Sequence, residues 1–373
     1  MKKTLYLQCI MMLGIVISSF AQQKPFTFNP GFNAQECDEM LKINSAFTDT
    51  LKGNKFQAFL NGYSFLSRSK SVGLDNMVDF WLRSDSTVII SLRGTTKDPK
   101  SLLADFYCAM IPAKGKVIIA PSDTIKYYLA DDDRAAVHAG FLVSFAYLSK
   151  EIAPKIDSLY HKGYHKYLVT GHSQGGSISI YVTAWLAYLK KHGTYPELVL
   201  KNYATAPAKM SNMYFAYNFQ HIMHSNQAFS LISNVDPVPE MPFTTQQLAT
   251  DMNKPNPFIT IYEHVGNLSF FKRIILKNAF KSMERKAEKS SKAYQQYLGK
   301  TVEKMVKTAL PGLQLEPMAN TTHFVTPGVT VALMADENYE RHFKTEIDKS
   351  LFHHSYEAYR FLLKQYALEL EKK

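Results

Sequence analysis

Apolar positions along the chain follow two periods. Short runs rich in β-branched and aromatic residues, at 77–83, 87–93, 117–120, 167–170, 199–204, 229–234 and 329–334, predict strands. Between and around them lie longer runs with helical spacing. One spans about 35–51, with Met40, Leu41, Ile43 and Phe47 on one side. Others cover 139–148, extending towards Tyr160, then 177–192 and 352–371. Strands that alternate with helices predict an α/β fold, a mostly parallel sheet flanked by helices. Residues 22–35 are a polar lead-in, and no internal repeat or low-complexity tract interrupts the pattern.

One segment departs from it. Over 268–310, Phe270, Ile274, Ile275, Phe280, Met283, Tyr294, Leu298, Val302, Met305 and Val306 recur at helical spacing among lysines, until Pro311-Gly312 stops the run. This predicts a basic amphipathic helical segment within an insertion at 243–325. Two readings stand: a solvated helical hairpin packed on the sheet edge, or a surface that meets anionic membrane or lipid.

Charge sharpens the contrast. The whole chain of 373 residues carries a formal +11, and the stretch from Lys272 to Lys307 holds eleven Lys/Arg against three Glu, a local +8. The N-terminus reads as a leader: Lys2 and Lys3, an apolar run from Leu5 to Ile17, and Ser19-Phe20-Ala21 before Gln22, with cleavage expected after Ala21. Residues 1–21 are therefore expected to direct export across the inner membrane, to a secreted, periplasmic or surface-associated location. Residues 22–373 are expected to form one α/β domain. Beyond the leader, Cys37 and Cys108 are too few for a disulfide scaffold and lack metal-site spacing. Neither metal, cofactor nor nucleic-acid partner is called for.

The chemistry starts at Tyr167–Ser177, YLVTGHSQGGS. An apolar strand runs straight into Gly171-His172-Ser173-Gln174-Gly175 and then into a helix-compatible run, the context of a nucleophile elbow. Side chains at Gly171 and Gly175 would clash in so tight a turn. Ser173 is thereby held strained with its hydroxyl exposed, and the Gln174 amide at a helix start can bind an oxyanion. A serine nucleophile needs an orienting acid and a base, downstream in that order. The acid should end a strand after the elbow, and Asp236, in Asn234-Val235-Asp236-Pro237-Val238-Pro239, does so in a loop stiffened by the two prolines that follow it; Asp251 is the alternative. The base should come late, at His353 or His354 rather than at His172, His264 or His323. A second oxyanion donor should follow an early strand, where Arg93-Gly94-Thr95-Thr96 turns on Gly94.

These motifs together resemble the fungal-type, or class 3, lipase family. The matching residues are Ser91-Leu92-Arg93-Gly94-Thr95, Val137-His138-Ala139-Gly140-Phe141, Gly171-His172-Ser173-Gln174-Gly175-Gly176, the Asp236 loop, and His354-Ser355-Tyr356-Glu357-Ala358-Tyr359. The resemblance implies an α/β-hydrolase fold and a secreted serine esterase acting on lipid acyl esters. It implies Ser173 as nucleophile, Asp236 as acid, His354 rather than His353 as base, and the Thr95 and Gln174 amides as oxyanion hole. It also implies a lid over about 96–103, with Asp105 supporting the hole behind it. The lid start, Lys97-Asp98-Pro99-Lys100, is polar, and only Leu102, Leu103 and Phe106 offer it an apolar face. A phospholipase or lipid acyltransferase is the alternative activity, and a lipid-binding protein on a dead scaffold the alternative class.

Overall fold

The computed structural model describes residues 28–47, 60–259, 269–349 and 351–372, so the expected leader lies outside the described residues. The first helix, α1 (Ala34–Ser45), is capped by Asn33, whose side chain accepts the Glu36 amide at 2.8 Å. The last residues of the expected 35–51 helix, from 48 on, lie outside the described residues. Strands β1 (Tyr63–Arg68), β2 (Val78–Arg83) and β3 (Thr87–Leu92) form an antiparallel meander, and β1 is a strand the sequence pattern did not single out. A short helix, α2 (Pro99–Phe106), then precedes β4 (Met110–Pro112), β5 (Lys114–Ala120), β6 (Asp123–Tyr128) and β7 (Ala136–His138). The run expected as a strand at 117–120 is part of β5. It pairs with β6 in a separate hairpin outside the main sheet, with one further bridge from Ile118 to Gln314.

The long helix α3 (Ala139–His161) leads to β8 (Lys166–His172), helix α4 (Gln174–Lys191) and β9 (Val199–Thr205). Helix α5 (Met213–Met223), which the sequence reading did not identify, and β10 (Ala228–Ser233) follow. The main sheet has seven strands in the order β1-β2-β3-β8-β9-β10-β11, parallel from β3 onwards, with β11 at Val329–Leu333. Parallel strands joined by helical crossovers need cover on both faces, and the alternation within β3 supplies it. Val88, Ile90 and Leu92 pack on one side with α3, α4 and α5; Ile89 packs on the other with α1 and the C-terminal helix. That C-terminal helix is α9 (Tyr356–Glu371), reached through α8 (Glu337–His342).

The basic segment is helical, but it is not a hairpin packed on the sheet edge. Helix α6 (Phe270–Tyr294) runs through a π-helical stretch, Gln295–Thr301, directly into α7 (Val302–Ala309) with no turn between them. Helix α7 joins the main core through Val302 and Val306 on the α3/α4 side of the sheet, while α6 contributes Tyr294 to a small cluster with Cys108, Met110, Ala136 and Phe324. Of the 25 residues of α6, Ser291 and Tyr294 alone are buried.

Helix α1 is tied to the sheet by charge. Glu36 meets Arg83 Nη1 at 2.7 Å and Lys201 Nζ at 2.5 Å, and accepts from the Tyr203 hydroxyl at 2.9 Å, all in the buried interior. Arg83 also pairs with Asp85 at 2.9 Å, but the buried Lys201 ammonium has its ion pair with Glu36, so removal of that carboxylate strands the Lys201 charge away from water. Glu36→Ala should therefore cost about 3–5 kcal/mol, read as a lower urea midpoint at unchanged slope. An unaltered midpoint would mean the cluster adds no net stability.

Candidate active site

Strand β8 ends at His172 and α4 begins at Gln174, so a single residue makes the turn. Ser173 has φ 61° and ψ −129°, a strained conformation for a residue with a side chain. The turn is closed on three sides by backbone. A Cβ on Gly171 would lie 2.2 Å from the Gly175 carbonyl, and one on Gly175 would lie 2.2 Å from the Leu92 oxygen at the end of β3. The Ser173 amide donates to the Thr205 carbonyl of β9 at 2.9 Å. The expected roles of the glycines and of Ser173 thus coincide with a real close approach of β3, β8 and α4.

Asp236 lies in the loop after β10, and His354 ends a 3-10 turn just before α9. The two meet: His354 Nδ1 donates to Asp236 Oδ2 at 2.7 Å. Tyr359, on the first turn of α9, donates its hydroxyl to the same oxygen at 2.8 Å, which gives a physical reason for a tyrosine five residues after the histidine. The Val238 amide donates to Oδ1 at 3.0 Å. Burial alone would raise the Asp236 carboxyl, but the hydrogen bond and charge of His354, the Val238 amide and the Tyr359 hydroxyl together hold it below the ordinary range. With Nδ1 bound to Asp236, Nε2 of His354 is the remaining ring nitrogen, and it is buried without a hydrogen-bond partner among the described residues.

The neighbouring histidine is occupied elsewhere. His353 Nδ1 lies 2.8 Å from the Tyr339 hydroxyl, and its Nε2 donates to the Ile347 carbonyl at 3.1 Å. Asp251 accepts from the Thr321 hydroxyl and the Gln247 amide, so its carboxylate belongs to the insertion and not to His354.

Behind Ser173, Asp105 joins the two expected oxyanion residues. Its Oδ2 accepts the Thr95 hydroxyl at 2.9 Å and its Oδ1 accepts Gln174 Nε2 at 3.0 Å. Gln174 also donates to the Ser101 carbonyl at 3.0 Å and accepts from Asn76 at 3.1 Å. The Gln174 amide opens α4, where no earlier helical turn offers a carbonyl to receive it. Gly94 lies against the elbow, since a Cβ there would be 2.8 Å from the His172 oxygen. Burial pushes the Asp105 carboxyl up to about 6, against the Gln174 and Thr95 hydrogen bonds and the charge of His354.

The expected lid at 96–103 corresponds to a turn plus α2, capped by Asp98, whose side chain accepts the Lys100 amide at 2.8 Å. Leu102 and Phe106 are exposed, as an apolar lid face requires. Leu103 is not available to it, because it packs inward on the core that includes α7. Gly140 explains its place in the Val137–Phe141 motif: a Cβ there would lie 2.0 Å from the Ala104 oxygen, so α3 starts flush against α2.

Several contacts had no signature in the sequence. Asn76, after β1, and Ser101, on α2, fix Gln174 from a distance in the chain, at no diagnostic spacing. His172, set aside as a base, sits beside His354 instead: its Nε2 donates to the His354 carbonyl at 2.8 Å, and the two rings lie 4.9 Å apart. Burial and the nearby His354 push the His172 imidazole down to about 3, so it stays neutral. Among the described residues no cluster of His, Cys, Asp or Glu could hold a metal ion.

Gly175→Ala should be severely disruptive, because its new methyl meets backbone rather than a yielding side chain. The expected result is a large loss of soluble protein and of Ser173 reactivity. A soluble, fully reactive variant would contradict the close approach.

Residues 89–246 match the family model described as Lipase (class 3). Solved structures similar to this chain include lipase II from Rhizopus niveus, at 22% identity and a TM-score of 0.42, covering 56% of this chain and 75% of that one. The Lip2 lipase from Yarrowia lipolytica is similar at 17% identity and 0.44, covering 58% and 78%. The triacylglyceride lipase of Rhizomucor miehei is similar at 18% and 0.43, covering 58% and 77%. No curated protein matches the sequence. The matched segment runs from β3 through the elbow to beyond the Asp236 loop, and over those residues the chain is similar to the class 3 lipases.

Proposed function

We propose that the protein hydrolyses acyl esters of lipids through Ser173, His354 and Asp236, by way of an acyl-enzyme. The observation that carries this reading is the 2.7 Å contact between Asp236 and His354, beside a serine held at φ 61°. His354 Nε2 takes the Ser173 proton as Oγ attacks the ester carbonyl carbon. The tetrahedral oxyanion is received by the Gln174 and Thr95 amides. His354 then gives the proton to the departing alcohol oxygen as the C–O bond breaks. Water attacks the acyl-serine with His354 again as base, releasing the acid and restoring Ser173. Asp236 stays ionised throughout, orienting Nδ1–H and stabilising the imidazolium. No cofactor takes part.

The proposal includes export by the N-terminal leader, and peripheral contact with anionic lipid through Lys272–Lys307. No helix among the described residues is long and apolar enough to cross a membrane. A phospholipase is the second reading, supported by the basic segment and by a lid that exposes Leu102 and Phe106.

Ser173→Ala should lose a factor of about 10⁴–10⁶ in kcat on a p-nitrophenyl ester, while keeping its melting temperature. Retained turnover would sink the reading, as would failure of a fluorophosphonate to label Ser173. His354→Ala should be as severe, whereas His353→Ala should be mild in kcat, since its ring engages Tyr339 and Ile347; the reverse pattern would move the base.

The Asp105 carboxyl, pushed up to about 6, changes charge within the working pH range. Below that value it gains a proton, and one of its two acceptor contacts to Thr95 and Gln174 weakens. Activity should therefore fall on the acid side more steeply than one ionisation allows. Asp105→Asn should lower kcat and reduce that limb to a single ionisation. Because the folded-state value is raised, ionisation of Asp105 opposes folding: its contribution to stability is present below the ordinary carboxylate range and lost as pH rises through about 6. An unchanged acid limb in the variant would remove Asp105 from the mechanism.

A further inference from the structure

We infer that α6 docks obliquely on an anionic phospholipid surface, with its first two turns among the acyl chains and its cationic flank among the headgroups. The inference rests on the lipid-ester reading for its purpose, and it narrows the contact from Lys272–Lys307 to α6 alone. Helix α7 is excluded because Val302 and Val306 are used up in the core.

The first two turns of α6 expose an apolar tip. Phe270 is 72% exposed, Phe271 76% and Ile275 68%, with Ile274 beside them. Phe270 and Ile274, and Phe271 and Ile275, are four residues apart, so they form one patch. The same side of the helix continues with Lys281, Arg285 and Lys289, again at steps of four. Like charges at that spacing repel and weaken an isolated helix. The acids of α6 do not relieve them. Glu284 is turned to the Leu248 and Ala249 amides at 3.3 and 3.4 Å, and Glu288 pairs with Lys292 at 2.6 Å. Among the described residues no carboxylate pairs with Lys281, Arg285 or Lys289.

The opposite end of α6 is fixed. Ser291 accepts Gln247 Nε2 at 3.1 Å and the Thr322 hydroxyl at 3.0 Å, and the Tyr294 ring lies edge-on to Phe243 at 4.8 Å. A helix anchored at one end, apolar at the other and cationic along the same side fits a surface with negative headgroups over an apolar interior. A nucleic acid would satisfy the cations but leave the Phe and Ile tip in water.

Three variants of the full chain test this by co-sedimentation with phosphatidylglycerol and phosphatidylcholine vesicles. In Lys281→Gln/Arg285→Gln/Lys289→Gln, binding to phosphatidylglycerol should fall about a hundredfold, at about a factor of five per basic residue, with most of the salt dependence lost. In Phe270→Gln/Phe271→Gln/Ile274→Gln/Ile275→Gln, binding should fall at least about tenfold even at low salt. Phe271→Trp should shift its emission to the blue on phosphatidylglycerol and not on phosphatidylcholine. Circular dichroism and turnover of a short soluble ester check that each variant is folded. Ser173→Ala protein should bind vesicles as wild type does, so a failed catalytic reading and a failed docking surface give different results. Wild-type binding by either multiple variant, an unshifted tryptophan, or an oligonucleotide bound as tightly as phosphatidylglycerol would overturn the proposal.

Discussion

Where β8 hands the chain to α4, backbone approaches backbone on both sides of Ser173, and there is room for hydrogen atoms alone at Gly171 and Gly175. The helix can then start within one residue of the strand end, which forces Ser173 to φ 61°. It also brings the Gln174 amide, the end of β3 and the Gly94 turn to one point. The elbow is thus a packing constraint before it is a chemical one. The strain is held because β3, β8 and β9 are hydrogen-bonded along their length on either side of it.

The two faces of the sheet divide the labour. Helices α3 and α4, with α7 and the inner side of α2, build the wall that carries Ser173 and Gln174. The other face, under α1 and α9, carries Tyr359, which reaches Asp236 beside His354. Tyr359 reaches from α9 to Asp236, and Tyr356 reaches from the same helix to the Asn44 carbonyl of α1 at 3.1 Å. His172 joins the two halves, because it ends the elbow strand and holds the carbonyl of His354. His354 and Asp236 are therefore held by the loop after β10, by α9 and by the end of the elbow strand β8.

The motifs legible in the sequence were those with a local cause. The elbow announces itself because its glycines and its strand–helix setting are contiguous, and Asp236 because two prolines follow it at a strand end. Helices α3 and α4 carry enough apolar residues to be read by period. What stayed hidden depends on contacts distant in the chain. Strand β1, with Ser64, Ser67 and Arg68, lacks a strong apolar alternation. The run at 117–120 was apolar enough to look like a main-sheet strand, yet its partner β6 lies just beyond a tight turn, and the pair forms apart. Leu103 looked like lid surface because α2 is short, and its inward orientation is set by α3 and α7. The uninterrupted join of α6 to α7 was invisible because apolar spacing does not record whether a helix turns back.

That join has a consequence of phase. Across Gln295–Thr301 the winding is wider than in an α-helix, and Gly299 sits buried there, 3.3 Å from the Met318 sulfur where a Cβ would project. The wide turns decouple the azimuth of α6 from that of α7, whose Val302 and Val306 must face inward. Each residue of an α-helix turns the axis frame by about 100°. Deleting one residue from this stretch would therefore turn α6 by roughly a quarter-turn relative to α7 and carry Ser291 and Tyr294 away from Gln247, Thr322 and Phe243. The length of this short stretch is thus matched to two seats at once, that of α7 in the core and that of the inner end of α6.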